Sequence, residues 1–598
     1  MINKRYRSVK CVNLVVIALI LICVIALAAF ASLTTTRFSN TGALSGGADG
    51  LEPSGDRHNS YAWSMEAMKN SVGEEYLYVG SNRDVIYVLM KETEPDVGKV
   101  KTFCEKMELS TPDSDSPEEL KAKIFRKKTN GTGDWETVYT SPLKAGVAQD
   151  QGYRGGKSYT APGETKPSVY FGTLGTKTTR LIKLVPDFKP GDEPDTVFET
   201  DPGEFSCIRA VTVHDSGDGD KLYIGTLTPS SDDKVANIQI WESEKPKSND
   251  GNDDWTKIAS VQKGESKKIF PSDFPGVRIN ETSTAFGGVW DMISYNGYLY
   301  AFVGNNYDKD ETDKLKNGFM VFKGKPVPDG TDGENEAGWK WEPVVCTEKM
   351  GSGAKYPNGM GNGRHVTASP FIYKGYVYVG TFADVATSDT PLDSLYPCHV
   401  YRFDKDDKWE LIIGNTEGTT DKITERLGNY GAGFFNAPVI SSDVLPEGYQ
   451  AKRLSTNQYA WRMGVYKDKL YVTTFDLEMG ILQEDEKDAD KKKEIGKFIS
   501  ALKDYNPNPR GFDIYYTSDG VNFSELTNDG FGDKYNFGGR TLKATDNGLF
   551  IGTANPFNGA QVWKITEDNG GNSGGGCNTG LAVLALLGII PLALFRKK

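Results

Sequence analysis

Leu77-Tyr78-Val79-Gly80-Ser81 is a short β-branched and aromatic phrase that the chain repeats. It returns as Val169-Tyr170-Phe171-Gly172-Thr173, Leu222-Tyr223-Ile224-Gly225-Thr226 and Leu299-Tyr300-Ala301-Phe302. Three further copies are Val377-Tyr378-Val379-Gly380-Thr381, Leu470-Tyr471-Val472-Thr473-Thr474 and Leu549-Phe550-Ile551-Gly552-Thr553. Seven copies at steps of about 79 residues make the chain one repeat array rather than three or four unlike domains. Tight-turn pairs precede several copies, among them Asn296-Gly297, Lys374-Gly375 and Asn547-Gly548. Each phrase therefore reads as a strand entered through a hairpin.

The flanks repeat as well. Upstream of each phrase lies another short strand, such as Ile208-Arg209-Ala210-Val211-Thr212-Val213, and Tyr61-Ala62-Trp63 returns as Tyr459-Ala460-Trp461. Downstream comes an aromatic strand, such as Ile238-Gln239-Ile240-Trp241, and then one often opened by Trp, as at Trp135, Trp255, Trp341 and Trp409. Four antiparallel strands, seven times over, indicate an all-β, seven-bladed β-propeller, with six and eight blades as the alternative counts. Stacked blades bury most strands on both faces, which accounts for the aromatic and β-branched composition. The step exceeds the roughly 40–50 residues of ordinary propeller repeats, so the surplus falls in loops. The seventh unit lacks an outer strand after Ile565, and a segment from 38–60 is expected to supply it and close the ring.

At the level of architecture, residues 58–566 resemble kelch-, WD- and sialidase-type propellers. Thr517-Ser518-Asp519-Gly520-Val521-Asn522-Phe523 resembles a shortened Asp-box hairpin, a rim turn that bears on fold and not on catalysis. Asp488 to Tyr505 carries Ile495, Phe498, Ile499 and Leu502 at helical spacing, and Pro507 and Pro509 end it. It reads as a packed insertion, or alternatively as a lid or partner-binding helix.

The ends are unlike the body. Residues 1–31 join Lys4, Arg5, Arg7 and Lys10 to an apolar run closing on Ala29-Phe30-Ala31. This fits an export signal cleaved after Ala31, with an uncleaved membrane anchor as the other reading. A flexible linker is expected over 32–57 and a Gly/Ser/Asn-rich linker over 567–576. Residues 577–598 then run from Cys577 through an apolar stretch to Arg596-Lys597-Lys598. This order of glycines, cysteine, apolar helix and basic tail closely resembles the Synerg-CTERM sorting signal of exported proteins in anaerobic diderm bacteria. The resemblance implies recognition by a sorting protease or transpeptidase near Cys577, with that cysteine as a processing or lipid-attachment site. It also implies a place in the cell envelope or on its surface, held by the terminal membrane segments. An ordinary tail anchor is the alternative.

The formal charge is −12, and hydrophobic residues make up 38%. That composition excludes wholesale disorder and a polytopic membrane protein. Setting aside the basic residues of 1–10 and 596–598 leaves a body of −19, which argues against nucleic acid as a partner. Of seven cysteines, Cys104, Cys207, Cys346 and Cys398 lie in the body. Their pairing is open, Cys346–Cys398 would join neighbouring units, and Cys207 reads as a buried thiol. Four His and no C-x-x-C make a zinc site improbable. The oxygen-rich loops Asp308–Asp313 and Asp250–Asp254 lack calcium-loop spacing, so no cofactor is expected, with Ca2+ as the weak alternative.

Aligning the units on the repeated phrase gives one polar position per innermost strand: Ser64, Arg154, Arg209, Asp291, Ser369, Arg462 and Arg540. Trp63, Tyr153, Trp290 and Trp461 precede four of them. Inner strands line the axis, so an acidic body would carry a basic, aromatic-rimmed axial mouth. Arginine forks match carboxylate, sulfate or phosphate, and indole faces pack on sugar rings. The bland alternative is that these arginines bond carbonyls of the neighbouring unit. Three functions follow: a binding module for an anionic glycan or peptide, a carbohydrate-active hydrolase or lyase, and a structural envelope protein. A glycosidase needs two facing carboxylates, and Asp291 is the lone carboxylate of the series.

Overall fold

The computed structural model describes residues 32–568, except 40–55, 228–237, 248–253, 262–273, 275–287, 306–316, 384–395, 435–438, 441–451, 479–510 and several shorter stretches. Seven four-stranded antiparallel units follow one another along the chain. The first comprises Asn59–Lys69, Glu75–Arg83, Lys123–Lys128 and Glu136–Thr140. The inner strands of the other six are Asp150–Tyr159, Cys207–Asp215, Gly288–Tyr295, His365–Tyr373, Asn457–Tyr466 and Gly538–Thr545. Each repeated phrase forms the second strand of its unit.

The tip of each second strand bridges to the start of the next inner strand: Asn82 to Gly152, Leu174 to Cys207, Leu227 to Gly288, Phe382 to Tyr459 and Phe475 to Gly538. Between the fourth and fifth units the Asn305 N–H donates to the Val366 carbonyl at 2.9 Å. Ala554 of the seventh unit bridges back to Tyr61 of the first, so the units form a propeller-like closed ring of seven.

The repeated phrase explains the packing. Its second residue, Tyr78, Tyr170, Tyr223, Tyr300, Tyr378, Tyr471 or Phe550, is buried in every unit. Its glycine sits where the next unit's inner strand comes closest. A Cβ on Gly80 would lie 2.5 Å from Tyr153 Cβ, one on Gly225 2.6 Å from Val289 Cγ1, and one on Gly552 2.6 Å from Ala62 Cβ across the ring closure. Where the phrase has Thr473 instead, the next inner strand supplies the glycine, Gly539, and the Thr473 hydroxyl donates to its carbonyl at 2.6 Å. Close packing tolerates no extra methyl at such contacts.

Ring closure departs from the sequence reading. The fourth strand of the seventh unit is Ser32–Arg37, paired with Val562–Asp568, and not a segment of 38–60. The N–H groups of Phe38 and Ser39 then both donate to the Val562 carbonyl, at 2.8 and 3.0 Å. The first residues of the expected 32–57 linker are thus part of the sheet, and the last strand runs two residues into the expected 567–576 linker. Leu33 is the one apolar residue among Ser32, Thr34, Thr35, Thr36 and Arg37, so Ser32–Arg37 lacks the pattern of a buried strand. It is an edge strand held by its ladder.

Two helices were not foreseen. α1 (Val85–Thr93) and α2 (Val97–Lys106) are inserted between the second and third strands of the first unit. Asp96 caps α2, accepting from the Gly98 and Lys99 N–H groups at 3.0 and 3.2 Å. Among the described residues no helix is long and apolar enough to cross a membrane. The apolar terminal segments with Ala31 and Cys577, the Asp488–Tyr505 helix, and nearly all of the two oxygen-rich loops lie outside the described residues. The Asp-box-like turn forms as expected, with Asp519 Oδ1 accepting from the Val521 and Asn522 N–H groups at 2.8 Å.

The four body cysteines are buried. Cys346 and Cys398 sit in different hydrophobic clusters, which removes the pairing considered between them. Burial pushes the Cys346 thiol up to about 11 and Cys398 to about 12, so both stay protonated and unreactive at neutral pH.

His365 and His399 are fully buried in edge contact, ring centroids 4.4 Å apart. Burial pushes His365 down to about 4 and His399 well below its ordinary value. Both are held neutral, so the stability they contribute is present above the unfolded value of about 6.5 and is lost as pH falls through it. His58 has the opposite sign, because hydrogen bonding to Asp84 raises its value. Each buried ring costs about 1.4 kcal/mol per pH unit once the unfolded chain is protonated. Replacing both His365 and His399 by Asn is expected to flatten the fall in melting temperature between pH 7 and pH 5. An unchanged slope would show that other groups set it.

Candidate functional site: an axial cavity floored by guanidinium groups

Six of the seven inner strands carry a bulge at the same place. The register shifts between Ala62/Ser64, Tyr153/Gly155, Ile208/Ala210, Val289/Asp291, Ala460/Arg462 and Gly539/Thr541. The extra residue is Trp63, Arg154, Arg209, Trp290, Trp461 or Arg540. A bulge kinks the strand and re-aims that side chain. In the fifth unit the shift comes earlier, between His365 and Thr367.

This corrects the axial series. Arg154, Arg209 and Arg540 share the bulge position with Trp63, Trp290 and Trp461. Asp291 and Arg462 lie one residue further, level with Ser64 and Ser369. Alignment at a fixed offset from the phrase merged the two positions, since a bulge adds a residue to one strand only.

The bulge residues stack on one another. Arg154 lies over the rings of both Trp63 and Trp290, at 5.1 and 5.4 Å, Arg209 over Trp290 at 3.7 Å, and Arg540 over Trp461 at 5.1 Å. Polar contacts tie the fourth unit to the sixth. Arg462 Nη1 donates to Asp291 Oδ2 at 2.6 Å, and Trp290 Nε1 donates to the Tyr459 hydroxyl at 2.7 Å. That hydroxyl also lies 3.0 Å from Ser369 Oγ. Tyr61 and Tyr459, which the sequence reading left out of the site, belong to the same aromatic cluster as the three tryptophans.

The four arginines meet different fates. Arg209 Nε donates to the Trp290 carbonyl at 2.7 Å, as the bland alternative expects. Arg462 is held by Asp291, and Arg154 reaches Cys207 Sγ at 3.5 Å. Arg540 is fully buried, and Nε, Nη1 and Nη2 all lack a hydrogen-bond partner, as do Arg209 Nη2 and Arg154 Nε. Burial, reinforced by repulsion from Arg462, Arg209 and Arg154, pushes Arg540 far below the usual arginine range. Burial likewise pushes Arg209 down to about 9. A charge in that state strongly favours any anion brought near it.

These residues line a cavity of about 430 Å³. Its charged lining is Arg154, Lys157, Arg209, Arg462 and Arg540 against Glu66 and Asp291. Both carboxylates are engaged: Asp291 by Arg462, and Glu66 by Lys543 and by the Ser158 hydroxyl at 2.9 Å. Among the described residues the lining therefore presents no facing pair of free carboxylates for hydrolysis. α1 and α2 pack with Tyr61, Trp63, Tyr459 and Trp461, covering the end of the ring where inner strands begin. From there the cavity extends along the later residues of the inner strands, including Val213, Ser294, Ile372 and Leu542. The alternation of Val85, Val88, Val100 and Cys104, with Asp96 between, was the available signal for this cap. Arg364, just upstream of the series, lies over Tyr396 at 5.9 Å and is outside the lining.

No protein-family profile matches the chain. No curated protein sequence matches it. Among solved structures, a prolyl endopeptidase aligns with TM-score 0.33 and 10% identity over 86% of this chain and 51% of its own. The chain thus spans about half of that protein's length. A GH93 α-L-arabinofuranosidase of Fusarium graminearum aligns with TM-score 0.30 and 10% identity over 70% and 91% of the two chains. An α-L-arabinofuranosidase from Lactobacillus brevis gives TM-score 0.28 and 13% identity over 59% and 96%. At these distances nothing of their chemistry transfers to this chain.

Arg540 separates stability from charge. Replacing even a paired buried ion and its partner by apolar side chains of similar volume is often neutral or stabilising, by about 1–4 kcal/mol, and a guanidinium without a hydrogen-bond partner has fewer interactions to lose. Arg540→Met is expected to raise the urea midpoint, or leave it unchanged, in the absence of added anions. A marked loss of stability would mean that the guanidinium has a structural partner.

Proposed function

We propose that the chain is an exported seven-bladed β-propeller, delivered to the cell envelope by its terminal segments and anchored there at least transiently, that binds an anionic glycan or peptide in the axial cavity. The observation that carries this reading is Arg540, a guanidinium buried without a hydrogen-bond partner behind the more accessible Arg154 and Arg462. Its charge acts across a low-dielectric wall, where a unit charge counts for far more than in water. Five cations against two carboxylates make the cavity positive inside an acidic body, which focuses the field on an entering anion. Arg462 can exchange Asp291 for a ligand carboxylate, sulfate or phosphate, and Trp290 is partly exposed beside it.

Calorimetry with an oligosaccharide bearing uronate or sulfate groups tests the reading, with the neutral oligosaccharide as control. Binding is expected for the charged ligand only, weakening with salt. Arg154→Gln and Arg462→Gln are each expected to reduce affinity about tenfold, or about 1.4 kcal/mol. Equal binding of the neutral sugar would overturn it, and cleavage of either sugar would move the assignment to a hydrolase or lyase.

The envelope assignment rests on the terminal segments. Its support is the basic, apolar and Ala29-Phe30-Ala31 order of residues 1–31 and the glycine, cysteine, apolar and basic order at 573–598. Mass spectrometry of the mature protein is expected to show an N-terminus at Ser32 and a C-terminus near Cys577. A chain ending at Lys598 would overturn processing at Cys577.

A further inference from the structure

We propose a second anion site, separate from the axial cavity, on the seam where the ring closes: Lys127, Lys564 and Arg37 surround a cavity of about 420 Å³ suited to a phosphate or sulfate group. The three cations come from three segments: the third strand of the first unit, the third strand of the seventh, and the N-terminal closing strand. Among the described residues the remaining lining is Thr36, Phe38, Ser39 and Gly131, none of them a carboxylate. Its volume lies in the range of small-ligand sites.

The two ammonium groups flank one ring. Lys127 Nζ lies 4.9 Å and Lys564 Nζ 5.9 Å from the centroid of Phe38, and Lys564 Nζ is also 5.5 Å from that of Phe550. Each donates one long hydrogen bond of 3.4 Å, Lys127 to the Phe38 carbonyl and Lys564 to the Thr129 carbonyl. An ammonium has three donors, so both retain capacity for a ligand oxygen. Burial lowers both lysines, with Asp134 opposing it on Lys127, so each ammonium is partly desolvated. The Thr36 and Ser39 hydroxyls add neutral donors. A tetrahedral oxyanion accepts from several directions at once and so can bridge all three cations.

The site has a mechanical consequence. The ring closes through a short polar edge strand, and an anion bound by Arg37, Lys127 and Lys564 staples that strand to the first and seventh units together. Ring stability then rises with anion concentration as RT ln(1 + [L]/Kd). The phosphate could be free or carried by a lipid headgroup.

Thermal unfolding in sodium phosphate, compared with sodium chloride at equal ionic strength, tests this. The wild-type chain is expected to show a saturable rise in melting temperature. The rise should vanish in Lys127→Gln/Lys564→Gln and persist in Arg462→Gln, which separates the seam from the axial cavity. Lys564→Glu, which supplies the negative charge from the chain itself, should remove the phosphate response while keeping a cooperative transition. Equilibrium dialysis with labelled phosphate should lose one site in the double variant. Co-sedimentation with phosphatidylglycerol vesicles that depends on the two lysines assigns a headgroup; phosphate binding without it assigns the free anion. An equal phosphate response in wild type and double variant, or none in wild type, would overturn the proposal.

Discussion

Everything in this molecule depends on how closely one unit's inner strand can approach the second strand of the unit before it. At Gly80, Gly225 and Gly552 a single added carbon would overlap the neighbouring unit. The same spacing recurs with Thr473 against Gly539, where the small residue has moved to the other strand. What is kept is therefore the distance, with the glycine free to stand on either side of it. A ring of seven closes only if each contact has the same spacing, because an error at one joint is carried round to Ala554 and Tyr61, where last meets first.

That spacing brings the inner strands close enough at the axis for their bulge residues to meet. Three are arginines and three tryptophans, and they stack rather than repel outright, since each guanidinium finds an indole face. Stacking does not neutralise charge. One carboxylate, Asp291, answers four arginines, and it is spent on Arg462. The surplus is held at buried positions beside the cavity, where it favours an anion in the site. A site of this kind draws on ring packing to hold like charges together against their repulsion.

The seam expresses the same economy at the rim. The closing strand buries little and is held by a backbone ladder, with Phe38 as its main apolar anchor between Trp135 and Phe550. Around that anchor the lysines of two neighbouring units converge. Circular closure by one terminal strand brings an edge pairing and a cluster of three cations to one place.

Much of this was legible in the residues. The seven phrases, their turns and their aromatic third strands reveal four-stranded units and their number, because burial on both faces imposes a composition that period and spacing expose. The polar inner-strand position was legible as a basic, aromatic neighbourhood. Its partition into two register positions was not, since a bulge leaves no mark in one dimension. Nor was the helical cap, whose segments of nine and ten residues are short, or the closing strand, whose serine and threonines look like linker. Local composition thus determined the strands, their count and the charge types at the axis. Only the tertiary structure decided which arginines are paired, which one is buried bare, and which end of the ring is covered. Those outcomes arise from contacts between units far apart in the chain, where distance and desolvation, rather than sequence spacing, set the energy.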